Sequence, residues 1–149
     1  MSNLSVVPFQ LDHVEDVLMV EKLSFSIPWS RDSFINEISN NSISRYVVCI
    51  KDGRVIGYGG MWLIAGEAHI TNIGVHPDFR KMGAASAIVE ALFDICKRES
   101  VSDITLEVRE SNVPAISLYT KYGFVREGTR YGYYEDNKEN AIIMWKHKI

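Results

Sequence analysis

The chain has few of the residues that build disulfide frameworks or metal centres. It contains two cysteines in 149 residues, Cys49 in an apolar strand-like run and Cys96 in a helical one. Both are predicted to be reduced and buried. The histidines show no metal-ligand spacing, so no metal site is predicted. They are His13, His69, His76 and His147.

The chain also lacks an excess of basic charge and any long apolar run. Its 16 lysines and arginines face 19 aspartates and glutamates, and the net charge is −3. Broad nucleic-acid binding usually requires a basic face, so no nucleic-acid partner is predicted, whereas a basic peptide partner is favoured. No apolar run approaches bilayer length, and Met-Ser-Asn-Leu-Ser does not begin a signal peptide. We therefore expect no membrane association and a cytoplasmic location.

What the chain does contain is a succession of strand and helix patterns without repeats or linkers, over a length usual for one domain. We predict a single domain over residues 1–149. In its first part, Pro28 interrupts the helical pattern, and Ser30 is predicted to cap the helix that follows. The predicted elements are a strand over Leu4–Phe9, a helix from Leu11 to near Phe25 and a helix over Arg31–Ser39.

Three strand patterns joined by short turns follow. Arg45–Lys51 and Arg54–Ile64 are separated by Asp52-Gly53, a two-residue hairpin turn, and Ala65-Gly66-Glu67 precedes His69–Val75. Strands with such short connections form an antiparallel meander, because a parallel pair needs a long crossover. This excludes a purely doubly wound nucleotide fold.

The second half of the chain adds a crossover. A helical pattern runs to about Ser100, and Ile104–Val108 then alternates apolar and polar residues as a strand does. Strand, helix and strand at this spacing predict a right-handed crossover with parallel ends. Asn112 is predicted to cap the next helix. The remaining predicted elements are a helix over Val113–Tyr122 ended by Gly123, and strands over Phe124–Tyr131 and Ala141–Lys146. The prediction is an α/β (α+β) domain with a mixed, mostly antiparallel sheet.

One stretch, Ile70–Ala85, joins the third strand of the meander to the long helix through a short basic loop. A helix N-terminus has unpaired N–H groups and a partial positive charge, which suit a phosphate or pyrophosphate. The loop lacks the Gly-Lys-Ser/Thr of the P-loop and the three glycines of the dinucleotide fingerprint. The residues alone leave open an anion site and a plain strand–helix connection.

Two further side chains lie near the place where ligands gather in sheets with helical crossovers, outside the carboxyl ends of the strands. Glu107 lies near the end of the Ile104–Val108 strand, and Tyr119 lies on the helix that follows. A solvent-facing carboxylate and a core aromatic residue would explain the same two residues without any chemistry.

Four segments of the chain match the motifs of one enzyme superfamily. Arg80, Gly83 and Ala85 match its acetyl-CoA loop in spacing and type. The loop is usually richer in glycine than Ala84 and Ala85 make it, although Ala85 is an accepted variant, and Gly74 replaces the usual alanine of the preceding strand. A second signature is matched by residues 106–112 with Ala115, Leu118, Tyr119, Gly123 and Phe124. Residues 28–30 and 141–144 also fit. The chain thus resembles the GNAT (Gcn5-related) N-acetyltransferases over nearly its whole length, and in particular the ribosomal-protein alanine N-acetyltransferase (RimI-like) branch.

The resemblance implies a seven-stranded sheet flanked by about four helices and split between two parallel central strands. It implies Glu107 as general base and Tyr119 as a hydrogen-bond or proton donor to the departing thiolate. It implies substrate contacts from Pro28, Trp29, Tyr133 and Tyr134. It implies acetyl-CoA as the donor, bound by Ile73, Gly74, Val75, Arg80, Lys81, Met82, Gly83, Ala84, Ala85, Ser86 and Asn112.

The implied acceptor is a protein N-terminal α-amine, in particular the N-terminal alanine of a small-subunit ribosomal protein. A free α-amine has a pKa of about 7.7–8.0 and a lysine about 10.4. Deprotonating the α-amine therefore costs roughly 3.4 kcal/mol less than deprotonating a lysine. A single carboxylate can deprotonate the α-amine near neutral pH, which favours N-terminal acetylation. Two alternatives are an enzyme of the same fold that acetylates a free small-molecule amine, and a non-catalytic acyl-CoA-binding module. The sequence does not indicate an oligomeric state.

Overall fold

The structure, a computed structural model, describes residues 3–149. Met1 and Ser2, which entered the prediction about the N-terminal segment, lie outside the described residues. Within residues 3–149, no helix is both long and apolar enough to cross a membrane. The same range forms the strands β1 (Leu4–Pro8), β2 (Ser44–Lys51), β3 (Arg54–Ile64), β4 (Glu67–Val75), β5 (Asp103–Arg109), β6 (Val125–Arg130) and β7 (Ala141–Lys146). Its α-helices are α1 (Val14–Ser24), α2 (Arg31–Ser39), α3 (Ala84–Arg98) and α4 (Val113–Lys121).

The helix boundaries follow the capping residues in the sequence. The Ser30 hydroxyl accepts a hydrogen bond from the Ser33 N–H at 3.1 Å, so Ser30 caps α2 as predicted. Gly123 follows α4 with φ of +94°, a conformation that favours glycine. The first predicted helix differs in detail, because a 3₁₀ turn over Leu11–His13 precedes α1.

One sheet contains all the strands described, in the order β1-β2-β3-β4-β5-β7-β6. The predicted meander is confirmed, since β2, β3 and β4 pair antiparallel through two short turns. Asp52-Gly53 and Ala65-Gly66 each place two consecutive residues at positive φ, which matches the twist of the strands they join. The last strand, β7, inserts between β5 and β6 and pairs antiparallel with both.

The predicted parallel pair is confirmed, but it is short. β4 and β5 pair only from Glu67 opposite Asp103 to His69 opposite Thr105. Immediately beyond, the register between β3 and β4 shifts so that Thr71 is an extra residue. Such a bulge bends its strand. The two strands therefore separate toward their carboxyl ends, and the sheet is split as the resemblance implied.

Hydrophobic cores cover both faces of the sheet. One core includes α3, and the other includes α1 and α2. The glycines of β3 allow this close packing, because a Cβ on Gly59 would lie 2.4 Å from Ile88 of α3 and one on Gly60 would lie 2.1 Å from the Tyr46 ring. Cys49 and Cys96 are free and buried, as predicted.

Candidate active site

The separation of β4 from β5 opens a cleft of about 850 Å³. Residues 70–73 of β4 and 106–109 of β5 form its sides, and α4 contributes Asn112, Ala115 and Tyr119. Two loops complete it, residues 25–30 between α1 and α2 and residues 131–140 between β6 and β7, which we call together the loop wall. The cleft thus gathers segments from most of the chain.

Glu107 lies on β5 inside this cleft, and its side chain is only 11% exposed. Its Oε1 accepts a hydrogen bond from His69 Nε2 at 2.8 Å, and its Oε2 accepts one from Arg130 Nε at 3.3 Å. The hydrogen bond from His69 holds the pKa of the Glu107 carboxyl below its usual value, although burial acts in the opposite direction. The group is therefore an ionised carboxylate at neutral pH, and it can accept a proton from a cation in the cleft.

Tyr119 lines the same cleft from α4, so the structure brings the two predicted catalytic residues to one cavity. Its ring is buried edge-on against Phe124, with 5.5 Å between centroids. Burial, followed by the proximity of Tyr134, raises the pKa of the Tyr119 phenol well above its usual value. The hydroxyl therefore stays protonated at neutral pH and can donate a hydrogen bond without giving up its proton.

Asn112 lines the cleft at the start of α4. Its Oδ1 accepts a hydrogen bond from the Ala115 N–H at 3.2 Å, which confirms the predicted helix cap. The predicted contact with a cofactor stays a prediction.

The stretch between β4 and α3, residues 76–83, is called the basic loop. Lys81 and Gly83 adopt positive φ of +63° and +90°. The helical hydrogen bonds of α3 begin with the Ala87 N–H donating to the Gly83 carbonyl at 2.9 Å. The N–H groups of residues 84–86 therefore stand outside the helical ladder, as the first N–H groups of a helix do, and the predicted anion site at this helix terminus stays a prediction. Of the predicted binding residues here, Arg80, Lys81, Met82 and Gly83 are exposed, Ala85 and Ser86 are half-buried, and Ala84 is buried.

The end of β4 leads from the cleft to the basic loop. Ile73 lines the cleft, whereas Gly74 and Val75 follow it toward the loop. A Cβ on Gly74 would lie 2.9 Å from the Tyr58 ring and 3.2 Å from Phe25, which explains glycine there. The Val75 carbonyl accepts hydrogen bonds from Ser24 Oγ at 3.2 Å and Arg80 Nε at 3.3 Å. The His76 N–H of the same peptide donates to the Ile56 carbonyl of β3 at 2.8 Å, so the Val75 carbonyl points away from β3.

The loop wall contains all four predicted substrate residues, and three of them line the cleft. Trp29, Tyr133 and Tyr134 line the cleft, but Pro28 is exposed and is not among the described residues that line it. Phe25, Ser26 and Ile27 line it instead. The two halves of the wall meet where Ser26 Oγ donates to Asp136 Oδ2 at 2.6 Å.

Sequence reasoning missed a buried carboxylate behind this wall. Glu21 of α1 accepts hydrogen bonds from the Tyr58 hydroxyl and, at 2.8 Å, from the Trp29 backbone N–H. Burial raises its pKa above the usual value. Glu21 lies four residues after Val17 and seven after Val14, both buried, so the helical spacing could have indicated its core position.

Sequence reasoning also missed the two hydrogen-bond partners of Glu107, and it missed the role of Arg109 as an ion-pair partner of the loop wall. His69, Arg130 and Arg109 come from three different strands, and no local pattern relates them. Only the strand order and register bring them together. Among the described residues, no group of three or more histidine, cysteine, aspartate or glutamate side chains is arranged to hold a metal ion.

Comparison with known proteins identifies the family. Residues 14–124 match the model of the acetyltransferase (GNAT) family. A protein of Escherichia coli (strain K12) named [ribosomal protein bS18]-alanine N-acetyltransferase is 33% identical over 129 residues, covering 84% of each chain. A Bacillus subtilis (strain 168) protein, whose name assigns it the same activity provisionally, is 39% identical over 136 residues, covering 91% of this chain and 90% of its own.

A solved structure supports the same family assignment. The crystal structure of the ribosomal-protein-S18-alanine N-acetyltransferase from Escherichia coli has a TM-score of 0.88 at 27% identity, covering 97% of this chain and 94% of that one. Both the sequence motifs and the split sheet are thus those of acetyltransferases. The chain belongs to the GNAT family and is an N-acetyltransferase of the RimI-like kind.

Proposed function

We propose that this protein transfers the acetyl group of acetyl-CoA to the N-terminal α-amine of a protein, in particular the N-terminal alanine of a small-subunit ribosomal protein. The main supporting observation is an ionised, largely buried carboxylate, Glu107, at the point where β4 and β5 separate. The names of the relatives support this acceptor, because they specify an alanine of ribosomal protein bS18 or S18 as the acetylated residue.

The basic loop and the end of β4 fit acetyl-CoA. The free N–H groups at the start of α3, with the Arg80 and Lys81 side chains, would hold the pyrophosphate. Among the described residues, no strand pairs with this edge of β4 beyond His69, so Ile73–Val75 would pair with the extended pantetheine arm. Asn112 would contact the cofactor near its reactive end. Bound acetyl-CoA supplies the acetyl group as a thioester.

Glu107 would act as the general base for the incoming ammonium group. The carboxylate takes one proton from the ammonium, directly or through one water. The neutral amine then forms a bond to the acetyl carbon as the carbon–sulfur bond breaks, and the second proton that the nitrogen loses passes to the departing thiolate, which leaves as the thiol. The hydrogen bonds from His69 and Arg130 fix both carboxylate oxygens and keep the group ionised before the substrate arrives.

Tyr119 would act on the departing sulfur by hydrogen bonding. A tyrosine has a pKa of about 10, above that of a thiol at about 8.5, and burial raises the pKa of Tyr119 further. Full proton transfer from Tyr119 to the thiolate is therefore uphill. A hydrogen bond that strengthens as negative charge develops on sulfur has no such cost.

The loop wall would receive the amine and the residues that follow it. Carboxylates predominate among the charged side chains that line the cleft, which favours a positively charged substrate group. Trp29, Tyr133 and Tyr134 offer aromatic surface next to these charges. An N-terminal ammonium followed by an extended backbone fits this combination.

Mass spectrometry of acetylated peptides tests the proposal. The enzyme and acetyl-CoA are incubated with a short peptide that has N-terminal alanine and one internal lysine, and with a panel of small amines. We expect acetylation at the α-amine. Glu107→Gln should lower kcat/KM by about 10²–10⁴-fold, whereas Glu110→Gln, an exposed carboxylate on the same segment, should not.

Three results would count against the proposal. Equal rates for the wild type and Glu107→Gln would refute the assignment of the base. Faster turnover of a small amine than of any peptide would favour a small-molecule acetyltransferase. Tight acetyl-CoA binding without turnover of any amine would indicate a non-catalytic module.

A further inference from the structure

Arg109, at the end of β5, makes an unusual concentration of contacts with one loop. Its Nη2 donates to both carboxylate oxygens of Asp136, at 3.0 and 2.9 Å. Its Nη1 donates to Asn137 Oδ1 at 3.2 Å and to Glu139 Oε1 at 3.3 Å. All three partners lie in residues 131–140, the half of the loop wall between β6 and β7. One guanidinium therefore connects this loop to the strand of the proposed base.

The same guanidinium lies over an aromatic ring of the cleft. Its Cζ is 4.0 Å from the centroid of Tyr134, and Tyr133 packs edge-on against that ring at 5.1 Å. Such a cation–π contact fixes the plane of the ring as well as its position. The orientation of Tyr134 thus depends on Arg109, whereas Tyr133 also lies under Arg130, whose Cζ is 5.8 Å from its centroid.

Arg109 also reaches the other half of the loop wall through one intermediate. Asp136, which it holds by two hydrogen bonds, accepts a third from Ser26 Oγ at 2.6 Å. Ser26 belongs to residues 25–30, the half of the loop wall between α1 and α2. Glu139, another partner of Arg109, also accepts a hydrogen bond from the Ser111 N–H at 2.7 Å. The two loops that border the cleft are therefore joined at Asp136, which Arg109 holds.

An ion pair elsewhere in the molecule also joins one arginine to both oxygens of a carboxylate, but without these neighbours. Arg31 donates to both oxygens of Glu15, at 2.8 and 2.7 Å, and joins α2 to α1. Its side chain is 54% exposed and that of Glu15 is 71% exposed, whereas Arg109 and Asp136 are 30% and 23% exposed. Neither Arg31 nor Glu15 lines the described cleft. The pair therefore offers a matched control for the loss of a bidentate ion pair alone.

We propose that Arg109 is the positioning residue for the acceptor side of the site, holding Tyr134 and Asp136 so that the first residues of the acceptor peptide enter a preformed wall. This inference rests on the proposed function. Arg109 acts through the loop and not on the reacting atoms. The loop keeps hydrogen bonds of its own, such as Lys138 N–H to the Tyr134 carbonyl at 2.8 Å, so loss of Arg109 should loosen it without unfolding the domain.

Steady-state kinetics of Arg109→Lys and Arg109→Gln test the proposal. For both variants we expect the KM for an alanine-initiated peptide to rise about tenfold or more, because charge-assisted hydrogen bonds are lost. The KM for acetyl-CoA should stay unchanged. Lysine should not rescue, since a single ammonium nitrogen cannot bond Asp136 and Glu139 as the two Nη atoms of Arg109 do and has no planar group to lie over the Tyr134 ring. Arg31→Gln should change neither KM.

Hydrogen exchange of the loop provides a readout that does not depend on activity. Amide exchange over residues 131–140 should accelerate in Arg109→Gln and stay at the wild-type rate in Arg31→Gln. Full rescue by lysine, or an equal rise of both KM values, would overturn the proposal, and so would unchanged loop exchange. If the wild type acetylates no peptide, the proposed function fails, and loop exchange alone then decides whether Arg109 holds the wall.

Discussion

The basic loop and the loop wall are the two irregular parts of the site, and they are built in opposite ways. The basic loop is one continuous stretch, and its shape follows from the strand before it, the helix after it and positive φ at Lys81 and Gly83. The loop wall joins two segments of chain at Ser26 and Asp136, which are 110 residues apart. It is held by side chains from other elements, chiefly Glu21 and Arg109.

This difference determines how each part should respond to mutation. A site made from one stretch of backbone depends on few side chains, so most substitutions there should have small effects. A site made from remote segments depends on each polar side chain that joins them. Damage to one part should therefore leave the other intact.

Tyr119 belongs to neither part. Its substitution should have the largest effect on turnover after the substitution of Glu107. Tyr119→Phe removes the proposed hydrogen bond to a developing thiolate, and such charged hydrogen bonds contribute about 1.5–3 kcal/mol, or roughly 10- to 100-fold in kcat. Both KM values should stay unchanged in steady-state assays. Tyr122→Phe, which removes a surface hydroxyl bonded to Glu90 and near Ser86, should leave kcat unchanged. A large change in either KM would place Tyr119 in a binding role.

Gly83→Ala should damage only the basic loop. Alanine at φ of +90° costs about 1–2 kcal/mol, so the KM for acetyl-CoA should rise about 5- to 30-fold if the helix terminus shifts to relieve it. The peptide KM should not change. Gly53→Ala is the control, because Gly53 has φ of +78° in a turn with nothing within 4 Å of a new Cβ. Both variants should lose thermal stability, and only Gly83→Ala should lose acetyl-CoA affinity.

Glu21→Gln should affect the loop wall through stability and its dependence on pH. Glutamine has one oxygen for the two donors, Tyr58 and the Trp29 N–H, so we expect a loss of about 1 kcal/mol. Because burial raises the pKa of Glu21 in the folded protein, the folded state binds more protons than the unfolded state above about pH 4.5. Its contribution to the free energy of unfolding therefore falls as pH rises from 4.5 through the raised folded-state pKa.

Thermal unfolding at acidic and neutral pH measures this effect. The deficit of Glu21→Gln relative to the wild type should shrink toward neutral pH. Glu15 on the same helix has its pKa lowered by Arg31, so its contribution has the opposite sign and is lost as pH falls. A deficit in Glu21→Gln that is constant over this range would show that Glu21 titrates normally.

The same contrast explains what could be predicted from the sequence. The meander, the crossover, the Asn112 cap and the basic loop follow from spacing within a few residues, and the structure contains them. The resemblance gave the split sheet, and the short β4–β5 ladder confirms it. The bond between His69 and Glu107 could not be predicted, because it depends on the register of two strands separated by a helix. In the sequence, Arg109 is one polar residue of an alternating strand pattern. Its role could not be predicted, because its partners lie in residues 131–140, more than twenty residues later in the chain.

Lys81 offers the smallest and most specific test of the two parts. Lys81→Gln removes one exposed charge from the basic loop, and an exposed charge near a helix terminus contributes about 0.3–1 kcal/mol at low salt. The KM for acetyl-CoA should therefore rise a few-fold, and the effect should vanish at high ionic strength. Lys138 is a matched control, since it has φ of +59° against +63° for Lys81 and lies in the loop wall. Lys138→Gln should leave the acetyl-CoA KM unchanged, and if both variants weaken acetyl-CoA equally, the charge of the basic loop has no specific role in holding the donor.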